Sequence, residues 1–267
     1  MDLVGATVLV TGASRGIGLA LCERLAEEPL ARLLVGVRDP ERAPTITATS
    51  GGAARIDPVR IDLSSRASIE EGIASWPVPA DGLDVIVNNA GVLTGGPLAG
   101  QELDDIYAAL QVNLGGLVHL TRAALPGMLR RGRGQVVNNA SVSGYLSFPG
   151  ATTYAATKAG VVAFSESLRR EVDGSGVEVV LLATARVETE MAARMDDLYA
   201  GEADTRGFRA VSPRQWADRV VAGMRAGDRV VWPGGAAGAM SRLMRGPEFV
   251  VDLASRQMRR RARRDEG

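Results

Sequence analysis

Short apolar runs recur along the chain, each followed by small or polar residues and then by a stretch with helical spacing. Ala6–Val10, Ala31–Arg38, Arg55–Asp62, Leu83–Gly91, the run QVVNNAS ending at Ser141, Val177–Ala183 and Asp228–Pro233 read as seven strands. Between them, helical patterns run from the glycine-rich turn after the first strand to about Glu28, from Glu102 to Arg131, from Ala151 to Asp173 and from Ser212 to Arg225. Ser212 stands as the N-cap of the last of these, with Pro213 in its first turn. Pro40–Gly52 carries two prolines and a closing Gly-Gly, and predicts a weak helix followed by a loop. Strand–helix alternation of this kind predicts an α/β fold: a doubly wound parallel sheet of about seven strands with helices on both faces. In such sheets ligands bind at the C-terminal edges of the strands.

The 267 residues are 46% hydrophobic and 23% charged, with a formal net charge of zero, so nothing global points to nucleic acid. One cysteine, Cys22, excludes a disulfide framework and fits a reducing, cytoplasmic compartment. There is no signal-peptide pattern at the start and no apolar run long enough to span a membrane. The only histidine, His119, falls on a helix and reads as a surface or interface residue. Residues 1–233 are expected to form one α/β domain, with a mobile lid at about 188–211. Residues 234–267 form a helical extension with a basic tail, RQMRRRARRDEG. That extension reads as a helix over the pocket or a subunit contact, in preference to an amphipathic helix touching a membrane or an acidic partner.

The first strand runs straight into TGASRGIG, Thr11–Gly18, and then into a helix. That context gives glycines a meaning: Gly12, Gly16 and Gly18 let the backbone approach a pyrophosphate, and the helix N-terminus offers free N–H groups. About 20 residues further on, where an acidic residue would accept a ribose 2′-hydroxyl, the chain has Arg38. Its fork suits a 2′-phosphate, and Arg15 inside the glycine turn is a second candidate contact, so NADP(H) is expected over NAD(H). Asp39 beside Arg38 pulls the other way. Asp62, ending the third strand, either accepts from an adenine amino group or caps the next helix.

Tyr154 and Lys158 are four residues apart on a predicted helix, which puts them on one face. An ammonium at roughly 4 Å, at an effective dielectric of about 20, is worth about 4 kcal/mol. That lowers a tyrosine pKa by up to about three units and makes it a useful acid-base group near neutral pH. Ser141 ends the fifth strand, and a loop with Gly144, Pro149 and Gly150 can return it beside that helix to hold a substrate oxygen. Gly115 and Gly116, in the middle of a helical pattern, cost about 1 kcal/mol each relative to alanine. They call for a local break or close packing, with Asn113 turned inward.

Together TGASRGIG, NNAG, VNLGG, a serine thirteen residues before the tyrosine, and YAATK resemble the short-chain dehydrogenase/reductase family over roughly Gly5 to Pro233. The resemblance implies a Rossmann-type fold and a catalytic tetrad. In it Asn113 would hold a water of a proton relay, Ser141 would bind the substrate oxygen and Tyr154 would be the general acid-base. Lys158 would bind the nicotinamide ribose and lower the tyrosine pKa. The implied coenzyme contacts are Gly12, Ser14, Arg15, Gly16, Ile17, Gly18, Arg38, Asp62, Leu63, Asn89, Ala90, Gly91, Tyr154, Lys158, Val187 and Thr189. No metal site is implied.

The chain departs from the family pattern in three places. Thr184-Ala185 replaces the usual Pro-Gly after the sixth strand, Arg186 adds a charge that either binds an acidic substrate group or, the preferred reading, faces solvent, and Asn139 stands where an apolar residue is more usual. The expected activity is NADPH-dependent reduction of a ketone or aldehyde, or its reverse. The alternative is a non-redox isomerase, dehydratase or cyclase, or a nucleotide-sensing binding module. The substrate pocket is expected around Leu93–Pro97, Val142–Phe148 and Glu190–Phe208, with a medium-sized hydrophobic carbonyl compound as its default occupant. A homodimer or homotetramer paired through the two long helices is also expected from the resemblance.

Overall fold

The computed structural model describes residues 1–146, 149–198 and 210–235. Ser147 and Phe148 of the expected pocket wall, the 199–209 part of the expected lid and the C-terminal extension from residue 236 lie outside the described residues.

Seven parallel strands form one sheet in the order β3-β2-β1-β4-β5-β6-β7. They are β1 (Thr7–Thr11), β2 (Arg32–Val37), β3 (Ile56–Arg60), β4 (Val85–Asn88), β5 (Gly134–Asn139), β6 (Val177–Leu182) and β7 (Val230–Val231). The helices are α1 (Gly16–Leu25), α2 (Arg66–Ala74), α3 (Leu103–Leu110), α4 (Gly116–Arg131), α5 (Thr152–Glu171), α6 (Glu190–Leu198) and α7 (Pro213–Ala226). The strands read as continuous apolar runs because both sheet faces are covered. Val8, Val10, Leu33, Val35, Val85 and Val87 pack with Leu21, Leu25, Trp216 and Val220 of α1 and α7. Their alternates Leu9, Leu34 and Ile86 pack with Ile69, Leu120, Met128 and Leu168 of α2, α4 and α5 on the opposite face.

The pattern over Glu102–Arg131 carries the local break expected at its glycines: α3 and α4 are joined by a π-helical turn, Gln111–Gly115. Gly116 has no room for a side chain, since a Cβ there would lie 2.9 Å from Leu63 Cβ. Gln111 Nε2 also donates to the Leu63 carbonyl at 3.1 Å, so the loop after β3 shapes this break. The segment after β2 yields only a short 3-10 turn, Pro40–Arg42. The third strand stops at Arg60, and Asp62 does not cap α2: Ser65 does, in a capping box with Ser68. Asp62 instead accepts from the Ser64 N–H at 3.0 Å.

Candidate active site

The turn after β1 is too tight for side chains. Gly12 has φ +66°, and a Cβ on Gly18 would lie 2.1 Å from the Gly12 carbonyl oxygen. Asn89 ties this turn to the end of β4, donating from Nδ2 to the Thr11 carbonyl at 3.0 Å, while the Thr11 hydroxyl accepts from the N–H groups of Asn89 and Ala90. Helix α2 and helix α7 each begin with a serine capping box, but α1 has none: its N-cap is Arg15, which makes no side-chain cap. The N–H groups of its first turn are thus left for an anion, and these residues fit a dinucleotide pyrophosphate. Ser14 and Arg15 are exposed at this turn, and Ile17 packs partly into the core.

Arg38 is exposed at the end of β2. Asp39 is committed elsewhere: it accepts from the Glu41 N–H and pairs with Arg42 at 3.3 Å. Arg15 reaches across to Glu190 of α6, with 2.6 Å between charged atoms and both side chains exposed. Leu63 is buried beneath Gly116, so only its main chain is available to a ligand.

Tyr154 and Lys158 lie one turn apart on α5, both buried, with Lys158 Nζ 5.7 Å from the tyrosine ring centroid. The ammonium donates to the Asn139 main-chain carbonyl at 2.8 Å. Burial pushes the Lys158 pKa from the usual 10.5 down to about 8. The lysine is therefore no fixed charge, contrary to the simple picture of a permanent ammonium beside a phenol. On the far side, a Cβ on Gly91 would meet Asn113 Oδ1 at 3.2 Å and Lys158 Nζ at 3.7 Å. The loop after β4, the π turn and α5 thus converge on one point.

The π turn aims Asn113 inward, at 1% exposure. Its Nδ2 donates to the Val92 carbonyl and to Thr157 Oγ1, and its Oδ1 accepts from the Val92 N–H. Both amide donors are spent, so the group offers a water only acceptor atoms. Thr157, which the sequence reading passed over, also donates to the Tyr154 carbonyl at 2.8 Å. Its signal was there to see, three residues after the tyrosine on the same helix face. Ser141 is buried at the end of β5 and its Oγ accepts from the Ser143 N–H at 3.1 Å.

The segment after β6 is anchored without Pro-Gly. Val142 N–H donates to the Thr184 carbonyl, Val211 N–H to the Arg186 carbonyl and Glu188 N–H to the Val211 carbonyl. Val187 is buried in a parallel bridge with Val211. Arg186 does not point free to solvent: it forms a two-pronged pair with Asp196 of α6 at 2.6 Å for each contact. Thr189 touches the glycine turn, 3.2 Å from where a Cβ on Gly16 would sit, and its hydroxyl accepts from the Ala192 N–H at the start of α6. Pyrophosphate and nicotinamide contacts would therefore adjoin. Among the described residues no cluster of metal-ligating side chains occurs.

Residues 6–199 match the short chain dehydrogenase family. The chain is 34% identical over 204 residues to the 3-oxoacyl-[acyl-carrier-protein] reductase FabG of Vibrio cholerae, covering 74% of this chain and 80% of that protein. It is 37% identical over 173 residues to the NADP-dependent 3-hydroxy acid dehydrogenase YdfG of Shigella flexneri, covering 64% of this chain and 68% of that protein. A short-chain dehydrogenase from Sphingobium yanoikuyae, solved in complex with NADPH, superimposes with a TM-score of 0.72 at 27% identity, covering 92% of this chain and 94% of that one. With its motifs gathered on one sheet edge, the chain belongs to the short-chain dehydrogenase/reductase family and is an NAD(P)-dependent oxidoreductase of the Rossmann type.

Proposed function

We propose that the protein reduces a ketone or aldehyde to an alcohol with NADPH, or runs the reverse reaction, with residues 1–233 acting as one catalytic unit. The observation that carries this reading is the convergence of Gly91, Asn113 and Lys158 beside buried Tyr154. When bound, the coenzyme supplies the hydride. Tyr154 gives its phenolic proton to the substrate oxygen as that oxygen becomes an alkoxide, and Ser141 donates a hydrogen bond to the same oxygen. Lys158, while protonated, favours the phenolate that remains and thereby lowers the cost of the transfer. Asn113 offers an acceptor for a water that returns the proton.

NADP(H) preference is supported by exposed Arg38 and by the engagement of Asp39 with Arg42. The names of the relatives favour a carbonyl or hydroxyl at the 3-position of an acyl chain. A homo-oligomer is supported by Leu103, Tyr107 and Leu110, exposed at helical spacing on α3. A cytoplasmic location is supported by the buried free Cys22, and among the described residues no helix is long and apolar enough to cross a membrane.

The test is NADPH oxidation, followed at the nicotinamide absorbance band, with a panel of ketones, aldehydes and 3-oxoacyl thioesters. Tyr154→Phe should lower kcat by about 10² to 10⁴. Full turnover by that variant, or product formation without any absorbance change, would overturn the reading.

A further inference from the structure

Lys158 is the only lysine in the chain. It is 4% exposed, and burial alone accounts for the fall in its pKa, so the acceptor of its ammonium matters. That acceptor is the carbonyl of Asn139, whose side chain is itself buried and committed at both ends. Nδ2 donates to Asn89 Oδ1 at 2.9 Å, and Oδ1 accepts from Thr184 Oγ1 at 2.5 Å. Asn89 passes the line on to the Thr11 carbonyl. One row of hydrogen bonds therefore stitches together the ends of β1, β4, β5 and β6, on the edge that carries the candidate site. Thr184 also accepts from the Val142 N–H through its carbonyl, so the residue following Ser141 is referenced to the same threonine.

We propose that Thr184 and Asn139 are positioning residues: the Thr184 hydroxyl locks the Asn139 amide against Asn89, which fixes the carbonyl beneath Lys158 and the start of the segment carrying Val187 and Thr189. The proposal rests on the reductase reading and deepens it. Thr184→Val keeps the shape and removes the donor. The buried Oδ1 of Asn139 then has no partner, a state that folded proteins avoid by moving. The amide can turn over and the strand end can shift, and both movements disturb the Lys158 acceptor. The titratable side chain against Lys158 is Tyr154 on its own helix; β5 presents the Asn139 carbonyl and the loop after β4 presents Gly91, neither of which titrates. A weaker acceptor leaves the ammonium less favoured.

A single lysine makes this measurable. Lysine labelled with ¹³C at Cε gives one resonance from the full chain, and its titration reads Lys158 without any enzyme assay. Thr184→Val and Thr184→Ala should both move that titration to lower pH, and Thr184→Ser should restore it. In the carbonyl reductase assay Thr184→Val should lower kcat about tenfold, the scale of a small misplacement, with KM for NADPH held within about twofold. Circular dichroism establishes that each variant folds; should Thr184→Val unfold, Thr184→Ala carries the comparison. An unmoved or upward-moved titration in a folded variant overturns the positioning role. Should the titration shift as expected while the unsubstituted protein reduces no carbonyl, the positioning role stands and the reductase reading falls.

Discussion

Gly144 lies so close against Lys158 that a Cβ placed on it would stand 2.9 Å from the Lys158 carbonyl oxygen and 3.0 Å from Val162 Cγ2. Its hydrogen stands where any other residue would wedge the Ser141 loop away from α5. Gly144→Ala forces that wedge into a packed contact, which costs about 1–3 kcal/mol. The expected result is a lower unfolding midpoint in urea, with kcat for carbonyl reduction down at least about tenfold as Ser141 moves from its place. Gly100→Ala is the control, because nothing lies within 4 Å of its added methyl. Equal stability and activity for both variants would show that the loop adapts freely.

Lys158, pushed down to about 8 by burial, keeps its charge at pH 7 and loses it at moderately alkaline pH. Its ammonium supports the Tyr154 phenolate only while protonated. The quotient kcat/KM reports ionisations of the free enzyme, so the rate of reduction should be flat below about pH 7 and fall about tenfold per unit above about pH 8. A pH–rate profile from 6 to 10 checks this. A limb that begins near 10 would mean that Lys158 is better solvated than its surroundings suggest.

The strands were legible because a sheet covered on both faces writes continuous apolar runs, and the glycine turn because its constraint is local. Helical spacing put Tyr154 and Lys158 on one face, but only the glycine turn elsewhere in the chain set the pair apart from an ordinary surface pair. What could not be read depends on partners far along the chain. Gly115 and Gly116 marked a break, but its π form at Gln111–Gly115 is shaped by Leu63, nearly fifty residues earlier, while a single added residue barely alters the apolar period. Arg186 read as solvent-facing because Asp196 comes within reach only once α6 has formed. Asn139 and Thr184 looked like two separate oddities, and only the sheet order, with β5 beside β6, makes them neighbours.

The proposed preference for NADPH rests on charge at two exposed arginines. Arg38→Ala removes a cation suited to the 2′-phosphate, and a lost hydrogen bond to a charged group is worth about 1.5–3 kcal/mol. The Kd for NADPH should rise about tenfold to a hundredfold while that for NADH stays nearly level, measured by nicotinamide fluorescence. Arg15 offers the opposite test. Its contact with Glu190 is exposed on both sides, and such pairs are worth about 0–1 kcal/mol. Glu190→Gln should free Arg15 and tighten NADPH up to about fivefold, an effect that fades as salt rises. If neither substitution changes the NADPH-to-NADH ratio, the preference lies elsewhere.

Holding the Lys158 charge in a dry site should also cost the fold. The folded-state pKa, about 8, lies below the ordinary 10.5, so at high pH the unfolded chain binds the extra proton and stability rises as pH climbs between those values. Below pH 8 the full penalty is present. At about 1.36 kcal/mol per pH unit it amounts to about 3 kcal/mol. Lys158→Met keeps the length and apolar stem of the side chain and removes the charge. At pH 7 it should unfold at higher urea concentration than the unsubstituted protein, and at pH 10.5 the gain should largely vanish. It should also abolish carbonyl reduction, since the phenolate loses its counter-charge. A variant less stable than its parent at pH 7 would mean that the hydrogen bond to the Asn139 carbonyl outweighs the burial cost, and that this lysine serves the fold as well as the reaction.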